Sequence, residues 1–384
     1  MRHVSIDCVE PGMVIARHVY PPGESTGLPL LASEVVVTEA ILERLIRSNV
    51  TAVLIEDELS EGIEVRPPIT DAVRASAIGT LRSAFAGLRG PNALLSISQL
   101  ADIEGTMSSI MAEISSRRNL LVCLSDLKQF GGERMNHAVN VCVIGCTVAR
   151  NYFEEHGWRD FKGNRRQDQI PDRLLKLGIG LLLQDIGSLA IPDSIWEKRG
   201  ILTAEERAIM QMHPALGVEM LEGSEVSPLT KVTIAQHHER YNGSGFPKGL
   251  SGDDIHDNGQ VAALADAYVA LCDQEHDGQK AFAPHDAYRM IVQARGKLFN
   301  PDLVDAFIAT VAPYGPGTSI RMSDGKYGIV VSNNAEAPLF PTVRVTHDGD
   351  GLQIMPPFEL DLSKEKSVEI TEATESLPSD HIRV

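Results

Sequence analysis

The spacing of apolar residues divides the chain into a mixed beginning, a long helical middle and a β-rich end. In the first part, "EVVVTEAILERLIRSNVTAVLIEDE" predicts a strand, a helix with Thr38 as its N-cap, and a second strand in "VTAVLIE". The helix is expected to end near Asn49 and to bury one face, formed by Ile41, Leu42, Leu45 and Ile46. This succession predicts a small α/β domain.

The middle of the chain, from about residue 71 to residue 312, has the periodicity of helices almost throughout. Long stretches such as "ITDAVRASAIGTLRSAFAGL" and "ADIEGTMSSIMAEISSRRNLLVCLSDL" contain few helix breakers. Thr203 and Glu206 have the spacing of a capping box, and Asn300 followed by Pro301 is typical of a helix start. These signals predict an all-α domain.

The last part of the chain changes to short alternating strands. Asp324 and Gly325 predict a hairpin turn, and "PTVRVTHDGDGLQI" continues the pattern, whereas the acidic "EITEATESLPSD" is expected to be a solvated, disordered tail. The predicted fold class is mainly α, a central helical bundle flanked by a small N-terminal α/β domain and a small C-terminal β module. The expected boundaries are 1–66 for the N-terminal domain, 67–100 for a helical linker, 101–312 for the helical domain, and 313–384 for the β module with its acidic tail.

Composition narrows the class of function. The formal net charge of −17 argues against binding of a nucleic acid polymer, because no excess of basic residues exists to neutralise phosphates. No apolar run is long enough to span a bilayer, the start "MRHVSIDCVEPG" does not resemble a signal peptide, and the five cysteines form no CxxC pair. We therefore expect a cytoplasmic protein with reduced thiols and no membrane contact.

Residues that could bind metal recur along the helical domain. Glu133 and His137 stand four apart and so share a helix face, and Asp185 ends a strongly apolar helix. Each candidate alone has a plain structural explanation, but their number favours a metal site of mixed imidazole and carboxylate ligands, suited to Fe, Mn, Zn or similar ions. The candidate ligands are Glu133, His137, Asp185, His213, His237, His238 and Asp266.

Residues 100 to 312 resemble the HD-GYP family of bacterial phosphohydrolases, part of the wider HD superfamily. The resemblance rests on "NHAVNV", "LLQDIGSLAIPD", "HPALG", "HHERYNGSGFPKGL", "LADAYVAL" and "KLFNPDLVDAFI", in the family's order and with similar spacing. It implies hydrolysis of the second messenger cyclic di-GMP at a centre of two or three metal ions. By the same resemblance one ion is assigned to His137, Asp185 and Asp266, the second to His213, His237 and His238 with Asp185 bridging, and a third to Glu133.

The chain departs from the family pattern at several positions. Gln184 replaces the histidine of the His-Asp pair, Ser188 replaces a lysine, Asn242 an aspartate, Phe246 a tyrosine, and Val269 a further aspartate. A Gln oxygen coordinates transition metals more weakly than an imidazole does. The resemblance still assigns catalytic roles to Asp185, Gln184 and Asn242 and substrate contacts to Gly243, Gly245, Phe246 and Lys297.

Two functions of different classes therefore remain open. In the first, the protein is a metal-dependent phosphodiesterase that cleaves a cyclic dinucleotide with two or three divalent ions, Fe, Mn or similar. In the second, it is a degenerate member with one ion or none, which acts as a ligand-binding or protein-interaction module in signalling. The expected ligand is cyclic di-GMP or a related nucleotide, and the N-terminal domain is left with two candidate roles, homodimerisation and regulation.

Overall fold

The computed structural model describes residues 1–20, 29–88, 95–117, 121–124, 134–160, 162–198, 200–273, 281–365 and 367–381. The chain folds into two compact units. Unit 1 combines Met1–Pro68, Leu121–Gly131 and Val311–Val384, and unit 2 combines Ile69–Leu120 and Gly132–Thr310. Both ends of the chain therefore belong to the same unit, and the finer boundaries given above stay a prediction.

Helices dominate the described residues, as the sequence predicts. They are α1 (Glu39–Arg47), α2 (Asp71–Gly87), α3 (Ile97–Ser115), α4 (Arg134–His156), α5 (Ile170–Leu182), α6 (Asp193–Trp196), α7 (Ala204–Met210), α8 (His213–Met220), α9 (Pro228–Gln236), α10 (Asp257–Cys272), α11 (Pro284–Gln293) and α12 (Pro301–Thr310). The strands are β1 (Arg2–Ser5), β2 (Val14–Ile15), β3 (Ala52–Glu56), β4 (Trp158–Arg159), β5 (Arg165–Arg166), β6 (Ser319–Met322), β7 (Tyr327–Ser332), β8 (Thr342–His347), β9 (Gln353–Asp361) and β10 (Ile370–Ala373).

Among its described residues, unit 1 contains two antiparallel sheets. The first has the strand order β1-β3-β2, and the second has the order β10-β6-β7-β8-β9. The predicted hairpin joins β6 to β7, and Gly325 takes a φ of +86° that a residue with a Cβ adopts at a cost. The strand expected just before α1 is wrong in extent, because Val36 forms only a single bridge, with Val14, before the helix starts.

Helix α1 begins and stops where its sequence signals lie. The Thr38 hydroxyl accepts a hydrogen bond from the Ile41 N–H at 3.3 Å, and Asn49 takes the left-handed φ of 55° just beyond the end. Leu45 is buried as expected, but Ile46 is 52% exposed. The buried face is narrower than predicted, because it is centred on Ile41 and Leu45, and Ile46 lies at its edge.

The acidic C-terminal segment is not the solvated tail that its composition suggests. It forms strand β10, and Asp380, which follows in a short 3₁₀ helix, is 8% exposed. Arg2 explains this burial: its guanidinium donates two hydrogen bonds to Asp380, at 2.8 and 2.7 Å, and one to Asp57 at 2.7 Å. We call these three residues the arginine cluster.

Unit 2 is the helical domain, with α4 at its centre against α5, α10 and α12. Side chains from Ala138 to Ala149 on α4 are buried without interruption, as expected for a helix surrounded by others. The predicted capping box of Thr203 and Glu206 opens α7, and Asn300 caps α12 through a bond from the Asp302 N–H. The helix predicted to run from Ala101 through "LLVC" is too long, since α3 ends at Ser115.

Two further features bear on the setting of the protein. The five cysteines, Cys8, Cys123, Cys142, Cys146 and Cys272, are all buried, and none is part of a disulfide. None of the helices in the described residues combines the length and the hydrophobicity that crossing a bilayer requires.

Candidate metal centre

Two histidines of unit 2 point their Nε2 atoms at each other. His213, at the start of α8, has its Nδ1 2.8 Å from the carbonyl oxygen of Met210, and His237, at the end of α9, has its Nδ1 2.7 Å from that of Ile234. A carbonyl oxygen can only accept, so each Nδ1 carries the proton and each Nε2 keeps an electron pair. These two Nε2 atoms are 3.0 Å apart. Two electron pairs at this distance repel unless a cation or a proton lies between them.

Asp185 completes a set of three donors around the same point. Its Oδ1 lies 3.4 Å from the Nε2 of His213 and 3.7 Å from that of His237. The three atoms form a triangle, and a point about 2.0 Å from all three exists, which matches metal–nitrogen and metal–oxygen distances of about 2.0–2.2 Å. The donors present therefore fit a divalent metal ion.

His238 is the fourth member of this group. One ligand atom from each of Asp185, His213, His237 and His238 lies within 4.8 Å of the others, and we call these four residues the ligand cluster. Burial lowers the pKa of His213 and of His238, and the neighbouring His237 lowers both further, so these imidazoles are neutral near pH 7. Burial opposes ionisation of Asp185, but the neighbouring His237 and His213 hold its pKa well below the usual range. Neutral imidazoles and an ionised carboxylate are the forms that bind metals.

A close backbone approach holds the parts of the ligand cluster together. Asp185 lies in the turn after α5, and a 3₁₀ helix, Ile186–Ala190, follows at once. A Cβ at Gly187 would stand 2.0 Å from the carbonyl oxygen of His213 and 2.4 Å from the N–H of Gly217, so no larger residue fits. This contact brings the N-terminus of α8, and with it His213, against the turn that carries Asp185.

The other predicted ligands of the described residues form a separate network beside the ligand cluster. Asp266 Oδ1 lies 3.1 Å from His137 Nε2 and accepts a hydrogen bond from Gln184 Nε2 at 3.0 Å. His137 Nδ1 lies 2.5 Å from Asp273 Oδ2. Burial disfavours the charge on His137, but the hydrogen bonds to Asp266 and Asp273 raise its pKa well above the usual value. The link between this network and the ligand cluster is His238, whose Nδ1 is 3.5 Å from Asp266 Oδ2.

The glycine-rich loop after the two histidines is fastened by Glu239. This fully buried carboxylate accepts hydrogen bonds from the N–H groups of Lys248 and Leu250, each at 2.9 Å. A Cβ at Gly245 would stand 2.5 Å from the carbonyl oxygen of His238, so only glycine lets the loop pass over the histidine turn. The Phe246 ring then lies over His238, with centroids 4.5 Å apart.

An aromatic and a basic side chain lie on another side of the ligand cluster. The Trp196 ring meets His213 edge-on with centroids 5.3 Å apart, and the Arg134 guanidinium stands 5.1 Å from the centre of the Trp196 ring. Arg134 also donates to the Ser188 hydroxyl at 3.4 Å and contacts Glu197 at 3.3 Å. A positive charge thus lies near the position where the family pattern has its lysine.

The remaining predicted site residues have the following positions. Asn242 is exposed, and its side-chain oxygen accepts hydrogen bonds from the Ser244 N–H at 3.1 Å and the Ser244 hydroxyl at 2.7 Å, which stabilise the loop. Gly243 takes a φ of +80° in the same turn, and Lys297 is exposed beside Leu298, whose carbonyl bonds to the loop at Tyr241. Glu133 lies outside the described residues. The catalytic and substrate-binding roles of these residues stay predictions.

Sequence reasoning missed Asp273, Glu239 and Trp196. Asp273 had a usable signal, since it follows Asp266 by seven residues and so falls on the same helical face. Glu239 directly follows the two histidines, but nothing in its sequence context indicates that its carboxylate binds loop N–H groups. Trp196 gave no signal, because its contact with His213 is made only in the folded chain.

Two family models match this chain, one in the helical domain and one in the C-terminal β module. Residues 165–303 match the family model described as "HD domain", and residues 319–376 match "KOW domain associated with HD domain". A cyclic di-GMP phosphodiesterase of Pseudomonas aeruginosa is 29% identical over 260 residues, 67% of this chain and 58% of that protein. A cyclic di-GMP phosphodiesterase response regulator of Xanthomonas campestris pv. campestris is 38% identical over 128 residues, 33% of this chain and 34% of that protein.

The chain thus spans between a third and three fifths of the length of these two relatives. Among solved structures, an HDG"Y"P protein from Bdellovibrio bacteriovorus superimposes with a TM-score of 0.49 and 15% identity. That superposition covers 79% of this chain and 97% of the Bdellovibrio chain.

Proposed function

The chain belongs to the HD-GYP family of the HD superfamily, and on that premise we propose that it is a metal-dependent phosphodiesterase of cyclic dinucleotides, with cyclic di-GMP as the expected substrate. The resemblance that names the substrate implies two or three ions of Fe, Mn or a similar metal. This chain matches only part of the length of the relatives that carry this activity by name. Its substrate and turnover therefore belong to the proposal.

One observation supports the proposal above all others. The Nε2 electron pairs of His213 and His237 face each other at 3.0 Å, with Asp185 beside them. Backbone carbonyls fix both rings in this orientation. A chain that only needed these histidines for packing would gain from letting one ring donate to the other, which this arrangement prevents. The arrangement is therefore best explained by a bound cation.

The ligand cluster would hold this cation through three neutral imidazoles and one carboxylate. A divalent ion held there would supply a polarising charge for a phosphoryl oxygen and would lower the pKa of bound water toward 7. The chain's own contribution is orientation: Met210 and Ile234 fix the two imidazoles through their carbonyls, and Gly187 holds His213 against the Asp185 turn.

The surroundings of the ligand cluster suit a nucleotide. Phe246 and Trp196 offer aromatic faces on which a base can stack, and Arg134 offers a guanidinium for a phosphate. Gly243 and Gly245 give the loop the shape that brings Phe246 to His238, and Lys297 is the proposed second cation of this region. Asp185, Gln184 and Asn242 keep their proposed catalytic roles, of which only that of Asp185 involves direct contact with the metal.

A second candidate function has its own support in Gln184. In place of an imidazole, its amide donates a hydrogen bond to Asp266, which leaves part of the expected metal centre occupied by protein groups. A chain of this kind can retain the fold and a metal ion yet bind a cyclic dinucleotide or a signalling protein without cleaving anything. The two candidates differ in turnover.

The test is hydrolysis of cyclic di-GMP by the purified protein supplied with Mn²⁺ or Fe²⁺, with product separated by chromatography and binding followed by calorimetry. We expect metal-dependent formation of a linear dinucleotide or of GMP. His213→Ala should abolish it, because one ligand of the metal is lost.

His156→Gln is the matched control, since His156 lies at the end of α4 outside the ligand cluster, and it should keep wild-type turnover. Binding of cyclic di-GMP without product, with metal present, would favour the binding module. Absence of both binding and turnover would contradict the phosphodiesterase and leave, of the second candidate, only the protein-interaction module.

A further inference from the structure

The Asp266 carboxylate already has protein partners at the position where the resemblance assigns it to a metal ion. Its Oδ1 accepts a hydrogen bond from Gln184 Nε2 at 3.0 Å and lies 3.1 Å from His137 Nε2. His137 is held in this orientation by Asp273, 2.5 Å from its Nδ1. Asp266 is 5% exposed and Gln184 fully buried, so water does not replace these contacts easily. The network is closed around a carboxylate that a cation would otherwise neutralise.

The identity of the atom that faces Asp266 is decided by chemistry. An amide nitrogen carries two hydrogens and can only donate, and a carboxylate can only accept, so Nε2 toward Asp266 is the stable orientation. The opposite orientation would place two acceptor oxygens about 3 Å apart with no hydrogen between them. Gln184 Oε1 is a buried atom with no hydrogen-bond partner among the described residues, so the gain at Asp266 outweighs the cost of leaving that oxygen without one.

We propose that this chain binds a single divalent metal ion, at Asp185, His213, His237 and His238, and that Gln184 takes the place of a second ion at Asp266. This inference rests on the proposed function for the nature of the site and departs from the two or three ions that the resemblance implies. Asp266 acts here as a positioning residue: with its Oδ1 held by Gln184, its Oδ2 faces His238 Nδ1 at 3.5 Å.

The ligand cluster does not need the second position. It supplies four donors, three imidazoles and a carboxylate, which is the number a tetrahedral site uses. Gln184 contacts none of the four ligands in the hydrogen bonds described, since its amide nitrogen donates to Asp266. A change at residue 184 is therefore expected to act on Asp266 and to leave the first ion in place.

The experiment counts metal ions per chain and needs no substrate. Wild type, Gln184→His and Gln184→Leu are loaded with Mn²⁺ or Fe²⁺ under anaerobic conditions, freed of excess metal, and analysed by elemental mass spectrometry and by calorimetric titration. We expect one ion per chain in wild type and in Gln184→Leu, and two in Gln184→His. The dissociation constant of the first ion should change by less than about threefold, well under the tenfold that 1.4 kcal/mol represents.

Gln293→His, on an exposed position of α11, is the control for an added histidine and should still bind one ion. The retained first ion shows that each variant is folded. Two or more ions in wild type would overturn the inference, and so would a single ion in Gln184→His, because residue 184 would then not be the determinant. No ion in wild type would overturn the metal-dependent function as well, a result distinct from the other two.

Discussion

The arginine cluster of unit 1 and the ligand cluster of unit 2 are both groups of buried ionisable side chains, but their atoms are matched differently. In the arginine cluster each guanidinium N–H that contacts an aspartate meets an oxygen at 2.7 or 2.8 Å, and Asp380 and Asp57 accept further bonds from the N–H groups of Leu377 and Ser60. In the ligand cluster an acceptor faces an acceptor, since His213 and His237 both present electron pairs.

The difference separates a structural ion cluster from a candidate metal site. Donors and acceptors alternate in the arginine cluster, so the folded chain satisfies it alone. In the ligand cluster, three donor atoms converge on one point, an arrangement that suits a cation. Both clusters bury charge, so burial alone does not indicate a functional site. The facing electron pairs of His213 and His237 occur only in the ligand cluster, and they do indicate one.

The same substitution in each cluster should have opposite effects, and the largest is expected at Asp185. Asp185→Asn removes the anionic ligand, so metal content should fall from about one ion per chain to less than a tenth, and phosphodiesterase activity by more than about 100-fold, beyond what loss of an outer partner costs. The metal-free protein should melt at the same temperature as metal-free wild type or slightly higher, because an amide N–H can donate to an imidazole. Elemental analysis and thermal unfolding measure both quantities. A large loss of stability in the metal-free variant would place Asp185 among structural ion pairs.

Asp380→Asn should have the opposite pair of effects, a loss of stability with unchanged metal content. It leaves the buried Arg2 with one charged partner fewer and turns an acceptor into a donor that faces a guanidinium, which costs about 3–5 kcal/mol of unfolding free energy. Metal content should stay at its wild-type value. Urea unfolding followed by fluorescence gives the free energy, and Asp350→Asn, at an exposed turn, should change it by less than about 0.5 kcal/mol. Equal stability of the two variants would show that the arginine cluster contributes little.

Removal of metal by a chelator should affect one region and spare the other. At a free metal concentration 100 to 1,000 times Kd, binding stabilises the folded state by about 3–4 kcal/mol. Hydrogen exchange read by mass spectrometry should therefore speed up at the end of α9, around Ile234 and His237, after chelation. Strands β1 and β3 should exchange as before. Faster exchange in both regions alike would contradict a metal site confined to the ligand cluster.

The smallest expected effect is a pH dependence of the unfolding free energy, caused by His3 in unit 1. Burial lowers the pKa of His3 to about 4, and the charges of Arg17 and the N-terminus add to this. In the unfolded chain His3 has a pKa near 6.5, so between about pH 6.5 and 4 only the unfolded state takes up the proton. Unfolding free energy should fall as pH decreases through this window. His3→Gln should make that fall shallower, and the difference in slope between variant and wild type should vanish between pH 7 and 8.

Local signals predicted the helix boundaries well, because the groups that set them are neighbours in sequence. Thr38, Thr203 with Glu206, and Asn300 with Pro301 all begin helices as expected. The prediction of a solvated acidic tail was wrong because the group that decides its burial is distant in sequence. Asp380 is buried because Arg2, 378 residues earlier, donates to it, and no local pattern carries that information.

The candidate site, too, could be predicted only in part. The order of motifs predicted that Asp185, His213, His237 and His238 come together, and they do. The resemblance also placed His137 beside Asp266, but the hydrogen bond that Gln184 donates to Asp266 could not be predicted, because an amide at residue 184 can present either its oxygen or its nitrogen. Asp273 decides how His137 is oriented, and its distance in sequence from His137 hides that contact.

The carbonyl of Ile234 that orients His237 belongs to the last turn of α9, and that of Met210 ends α7. Carbonyls at a helix end have no partner within the helix, so here each of them accepts a hydrogen bond from the ring of a proposed metal ligand. Fraying of either last turn would release the Nδ1 proton from its acceptor and let the imidazole rotate away. If the proposed ion is bound there, the rate at which it leaves would be set by opening of a helix end, and metal exchange would report local unfolding.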